Sequence, residues 1–278
     1  MMPLLTLSLP SWLEPPFMQR ALLALLLIAP ALAALGVHVV AFRMAFYAHG
    51  VSHSAFSGIA VAMLLSLAPR WGMLAVGLAM ALGLVLLSRK SDLSRDVLIG
   101  VLLAIMVSFG IVVVSAQKQL LQGFQSALYG DILGIGTGDL VLLAGLFAAT
   151  IVFESFAFNR LTLIAVHEPM ARSHGIHTRL WETLLALWVA VVVLIGLQII
   201  GILMITSLLI VPAAAGRNLA RSAAGTFAWS LLISLISAGG GLALSYALDS
   251  STGATVVLVA TVLFLLTLPF APRRVQRT

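Results

Sequence analysis

The 278-residue chain contains no cysteine. Disulfides and thiolate ligands are therefore excluded, and any metal chemistry must use histidine, carboxylate, asparagine, carbonyl or water. Charge is scarce as well: 9% of residues are Asp, Glu, Lys or Arg against 62% hydrophobic, with a mean hydropathy of +1.16. So little polar surface cannot wrap a chain of this length as a soluble globule. No segment matches GxxxxGK[ST], so nothing here cradles a nucleotide phosphate in the P-loop manner. Low-complexity tracts, repeats at solenoid periods and stretches long enough for a soluble domain are missing too. What remains is an all-α fold, a polytopic transmembrane helical bundle forming one membrane domain over residues 1–278.

Apolar runs cover about 21–42, 51–68, 71–87, 97–115, 140–158, 183–199, 201–216, 226–248 and 254–270. The sixth and seventh join into one long run, either a single tilted helix or two meeting near Gly196 and Gly201, so nine spans have eight as the alternative. The basic residues arbitrate. With nine spans and an outside amino terminus, only Arg20, Arg70 and Lys118 of the fifteen Lys and Arg lie outside. A single helix there would spread the basic residues almost evenly, so the positive-inside rule favours nine. The net charge of +6 thus marks cytoplasmic loops, not a nucleic-acid surface. The first apolar run resembles a signal peptide, but its basic residue lies late and Glu14 sits on the wrong side, so it is read as the first span.

The segment RMAFYAHGVSHSAFSG, Arg43 to Gly58, carries the sharpest chemical signal. His49 and His53 are four apart, so on a helix both imidazoles share one face and can reach one borderline-soft cation such as zinc. The bland alternative is a helix start capped by His49, with His53 bonded to a neighbouring helix. The longest polar cytoplasmic loop, about 159–183, is a candidate docking surface, with Pro169 starting a short helix and Gly175 ending it.

These residues together resemble the permease subunits of bacterial ABC importers for zinc and manganese, the ABC-3 family, over nearly the whole chain. RMAFYAHGVSHSAFSG is similar to the family's RRMAFxGDxLxHxxxxG; Asp96 to Gly100 (DVLIG) is similar to DxLxG; Leu128 to Ile135 (LYGDILGI) to xxFGDxLxV. His167 to Gly175 (HEPMARSHG) echoes DPExAxxxG, Gly201 to Arg217 (GILMITSLLIVPAAAGR) resembles GALLITxLLIxPAAxAR, and Ser250 to Leu266 resembles PxGxxVVLxATxLFLL. The resemblance implies a multi-pass protein of the bacterial cytoplasmic (inner) membrane. It also implies a permease homodimer around a central path, cytoplasmic ABC ATPases, and a periplasmic or extracellular metal-binding protein that delivers the ion. No covalent cofactor is implied; zinc is the transported substrate and ATP is used by the partner. Coupling to the ATPase falls on His167, Glu168, Pro169, Ala171 and Gly175.

Two departures matter. The acidic position of the family's GDxxxH is His49 here, and an imidazole pair is softer than carboxylate plus imidazole, which tilts the expectation from manganese or iron toward zinc. In the coupling loop Glu168 and Pro169 are reversed relative to Asp-Pro-Glu, and His167, His174 and His177 raise the alternative of a cytoplasmic metal sensor, although their spacing fits no standard site.

Other polar residues have two readings each. Asp131 either attracts cations at the outer entrance, as a third metal contact, or contacts the delivery protein, or is a turn residue. Asp96 suits a helix start behind Ser94. Glu154, beside Asn159 and Arg160, is expected to form a local salt bridge or to snorkel toward the membrane edge, and His38 to be a satisfied core histidine. Pro30 and Pro212 can break backbone ladders, and Ser237 to Ser245 (SAGGGLALS) permits close helix approach. A secondary metal transporter is the rival class. It predicts inverted repeats and a mid-membrane carboxylate, neither of which is visible in the sequence.

Overall fold

The structure is a computed structural model that describes residues 13–116 and 132–271. Among these residues there are ten α-helices and no strands. They are α1 (Pro16–Ala41), α2 (Ala45–Leu64), α3 (Pro69–Lys90), α4 (Arg95–Ala116), α5 (Thr137–Val166), the short α6 (Glu168–Ser173), α7 (Thr178–Ile200), α8 (Ile202–Leu219), α9 (Ala223–Ala247) and α10 (Thr252–Thr267). Eight helical segments are long and apolar enough to cross a bilayer. The ninth long helix, α2, falls outside that set because two histidines, three serines and two glycines dilute it.

The apolar run around residue 200 divides. Gly201 takes φ 83°, ψ 163° between α7 and α8, a left-handed backbone that glycine adopts without a Cβ penalty. Gly196 stays inside α7, and α1 and α8 pass through Pro30 and Pro212 unbroken, so neither proline ends a helix as the sequence allowed. The signal-like segment becomes α1, which is largely buried within the bundle.

Helix ends sort by charge. Met44, Arg89, Glu168 and Arg179 line one cavity. Ala41, Val166, Arg217 and Ala223 line another, and Asn218 Nδ2 donates to Thr267 Oγ1 at 3.0 Å. These contacts gather the ends rich in Arg and Lys at one level. Ile132, the α7–α8 junction and Ser250–Ala254 share a cavity at the other. Among the described residues nine long helices alternate between the two levels.

Packing divides the bundle into α2–α3–α4 and α1–α8–α9–α10, with α7 between them and α5 against α1. Small residues bring the helices together. Ser230 and Ser234 on α9 donate to the α1 carbonyls of Ala33 and Ala29, and Ser57 on α2 donates to the α4 carbonyl of Met106. Without a hydrophobic drive between helices in lipid, such contacts and close backbone approach supply the association.

The tightest approach on α2 is at Gly58, where an added Cβ would lie 2.5 Å from the Gly72 carbonyl oxygen and the Met73 Cα. Backbone cannot yield there, so Gly58→Ala should part α2 from α3 and lower stability by about 1–3 kcal/mol. Gly83 faces open space, and Gly83→Ala should stay within about 0.5 kcal/mol. Thermal unfolding of the purified variants measures both; equal losses would mean that the α2–α3 contact does not constrain the bundle.

Candidate functional site

α2 buries Tyr47, Ala48, Val51, Ser54 and Ala55 against its neighbours and leaves one face uncovered among the described residues. Phe46, His49, His53 and Phe56 lie on that face at spacings of three, four and three. Phe46 is 63% exposed, His49 exposed, and His53 and Phe56 half-buried. The two imidazoles converge: His53 Nε2 and His49 Nε2 are 3.1 Å apart, and one ring donates to the other. Two nitrogens bound to one tetrahedral zinc stand about 3.3 Å apart, given Zn–N distances of about 2.05 Å. The pair is therefore already at ligating separation. The His53 ring stacks on Phe56, with centroids 5.3 Å apart and planes at 7°, which fixes the imidazole plane.

The depth of the pair follows from register. Gly58 opposes Gly72, and Gly50 meets Met80 on the antiparallel α3. Met80 is close to the midpoint of Pro69–Lys90. His49 and His53 are thus level with the middle of α3. α2 begins at Ala45, just after Met44, which lines a cavity with Leu84 and Val85. Neither histidine caps a helix start: the N-cap is Met44.

Among the described residues no cluster of three His, Cys, Asp or Glu is placed to hold a metal. The closest approach of ring nitrogens among these residues is the His49–His53 pair. Asp131 lies outside the described residues. His167, His174 and His177 do not assemble a site, because two of them serve local backbone. His167 Nδ1 accepts from the Met170 amide at 3.1 Å as the N-cap of α6, and His174 Nδ1 bonds the Met170 carbonyl at 2.8 Å.

The segment between the long helices is narrower than the 159–183 loop read from composition, since α5 runs on to Val166 and α7 already starts at Thr178. Pro169 occupies the first turn of α6, where its missing N–H costs nothing. Gly175 (φ 74°) ends the helix: its amide donates to the Arg172 carbonyl and that of Ile176 to the Ala171 carbonyl, a Schellman closure. Ala171 is fully buried, anchoring the turn. Glu168 accepts from Arg172 Nη2 at 2.5 Å and from Thr178 Oγ1 at 3.3 Å, and Met170 is left 49% exposed on the outside.

Three features had no sequence signal. Arg89 Nη2 donates to the Arg179 carbonyl and Thr183 Oγ1. The Tyr47 hydroxyl donates to the Ala186 carbonyl at 2.7 Å. Glu154 does not pair with Asn159 or Arg160: Arg160 donates to the Phe156 carbonyl and lies over the Trp181 ring. Its partner is His38, Nε2 to Oε2 at 3.0 Å, with both residues buried. The core reading of His38 thus acquires a partner 116 residues away.

A family model described as the ABC 3 transport family matches residues 14–271. The chain belongs to that family. It is a multi-pass membrane protein and the permease subunit of an importer for metal ions; in this family the ATPase is a separate subunit. The high-affinity zinc uptake system membrane protein of Haemophilus influenzae is 31% identical over 250 residues, covering 89% of this chain and 95% of that one. A manganese transport system membrane protein of Listeria monocytogenes is 26% identical over 270 residues, covering 96% and 95%. The fold matches that of PsaBC from Streptococcus pneumoniae, solved with a Fab, at TM-score 0.79 and 24% identity over 94% of each chain. The family therefore fixes metal import and leaves zinc and manganese to the site itself.

Removing one member of a buried polar pair strands the other, whereas an apolar replacement of both avoids that penalty. His38→Ala and Glu154→Ala should each lower stability by roughly 3–5 kcal/mol, and the double His38→Leu/Glu154→Leu should lose less than either. Thermal unfolding of all three in one detergent checks this. A double loss equal to the sum would show the two residues to be uncoupled.

Proposed function

We propose that this chain translocates zinc as one half of a permease homodimer, with the ion passing between two copies of α2. The observation that carries the reading is the imidazole pair at mid-height, Nε2 to Nε2 at 3.1 Å, on the helix face left open among the described residues. Imidazoles at that level are costly against lipid and are satisfied only by protein, water or an ion. A two-fold axis beside α2 sets each residue of the face near its own counterpart. The two ligands of one copy then become four nitrogens, a coordination number that suits tetrahedral zinc. Manganese prefers oxygen donors and is poorly served by an all-imidazole set.

The rest of the chain has matching roles. α6, with Glu168 and Pro169 in its first turn and Met170 exposed, docks the cytoplasmic ABC ATPase. ATP binding and hydrolysis belong to that partner. The opposite end, around Ile132, the α7–α8 junction and Ser250–Ala254, receives the periplasmic or extracellular metal-binding protein, with Asp131 as an outer contact for the ion. Residues 1–278 act as one permease domain.

The test is zinc uptake into vesicles holding the permease, its ATPase and its delivery protein. His49→Ala and His53→Ala should each reduce uptake by more than the roughly 10–100-fold that loss of a supporting partner costs a metal site, while assembly persists. His49→Asp should restore transport with manganese gaining relative to zinc. Undiminished zinc uptake in both alanine variants would show that the pair is structural.

A further inference from the structure

We propose that Tyr47 is the strut through which movement of the α6 turn reaches the imidazole pair. The proposal rests on the reading that α6 meets the ATPase and that His49 and His53 hold the ion; the residue and the route are new to it.

No described contact of note joins α6 to α2 directly. A cavity of about 320 Å³, lined by Met44, Ser88, Arg89, Glu168 and Arg172 among others, separates them. Both instead fasten to the first turns of α7. Thr178 Oγ1 donates to Glu168 Oε1 at 3.3 Å, tying α6 to the start of α7. Arg89, in the last turn of α3, donates to the Arg179 carbonyl at 3.2 Å and to Thr183 Oγ1 at 2.7 Å. One turn further on, the Ala186 carbonyl accepts from the Tyr47 hydroxyl at 2.7 Å. The three attachments climb α7 in order, from the loop to the interior.

Tyr47 is suited to carry a displacement. Its side chain is fully buried, so the ring cannot swing aside, and its hydroxyl has a fixed acceptor. It lies two residues before His49, about 200° around the helix. It therefore projects from the back of α2 while the imidazoles project from the front. A shift of the first turns of α7 pushes or draws α2 through this ring and changes the position of His49 and His53 relative to their counterparts. The cavity beside α6 leaves room for the loop to move without colliding with α3.

Tyr47→Phe removes one hydroxyl and keeps the packing. In vesicles holding permease, ATPase and delivery protein, zinc uptake and ATP hydrolysis are measured together. The expected result is continued hydrolysis with zinc moved per ATP falling about threefold or more, a size that one neutral hydrogen bond can supply. Zinc bound by the solubilised variant should equal that of the natural chain. A merely structural role lowers uptake and hydrolysis in proportion, and an unchanged ratio overturns the proposal. Met170→Glu, on the exposed side of α6, separates the two levels of the argument. If it leaves the ATPase bound and coupled, the docking at α6 fails and the strut with it. If it dissociates the ATPase while Tyr47→Phe keeps its ratio, docking stands and the strut alone is refuted.

Discussion

A helix that crosses a bilayer must either show lipid an apolar face or have its polar face covered by protein. Among the described residues α2 meets neither condition. It is the long helix with too many polar and small residues to pass as a span by composition, and its open face carries two imidazoles at half the height of α3. In the proposed homodimer a second copy covers that face with the same surface. The proposed ion path, the proposed dimer and the proposed preference for zinc all rest on this constraint.

The remainder of the bundle serves to hold that helix in place. Gly58 against Gly72 and Ser57 on the Met106 carbonyl fix α2 to α3 and α4 at backbone distance. Such contacts replace the hydrophobic drive that lipid does not provide. On the other side α1 is gripped by the α9 serines and joined to α5 through His38 and Glu154. Between these halves α7 touches both, which suits it to the proposed transmission of motion from α6 inward.

Local features were legible in the sequence. The spacing of His49 and His53 gave one shared face, because helix periodicity depends on nothing remote. Gly201 was visible as a break because a left-handed backbone needs a residue without a Cβ. Pro169 and Gly175 bounded α6 as their restricted dihedrals require. What the sequence hid was tertiary: Glu154 finds His38 across 116 positions and Tyr47 finds Ala186 across 139. Composition assigned Glu154 to nearby Arg160, which instead covers Trp181. The depth of the histidines also needed the α2–α3 register, which no residue type marks. Pro30 and Pro212 looked like breaks, yet α1 and α8 continue through them, as neighbours in a packed bundle permit.

The most direct measurement is zinc K-edge absorption spectroscopy, combined with zinc-to-protein stoichiometry, on the zinc-loaded permease assembled with its ATPase. The account predicts one zinc per two permease chains, with four nitrogen neighbours at about 2.0–2.1 Å, and loss of that shell in His53→Ala. One zinc per chain with two nitrogens, or a shell of oxygens unaffected by the substitution, would contradict it.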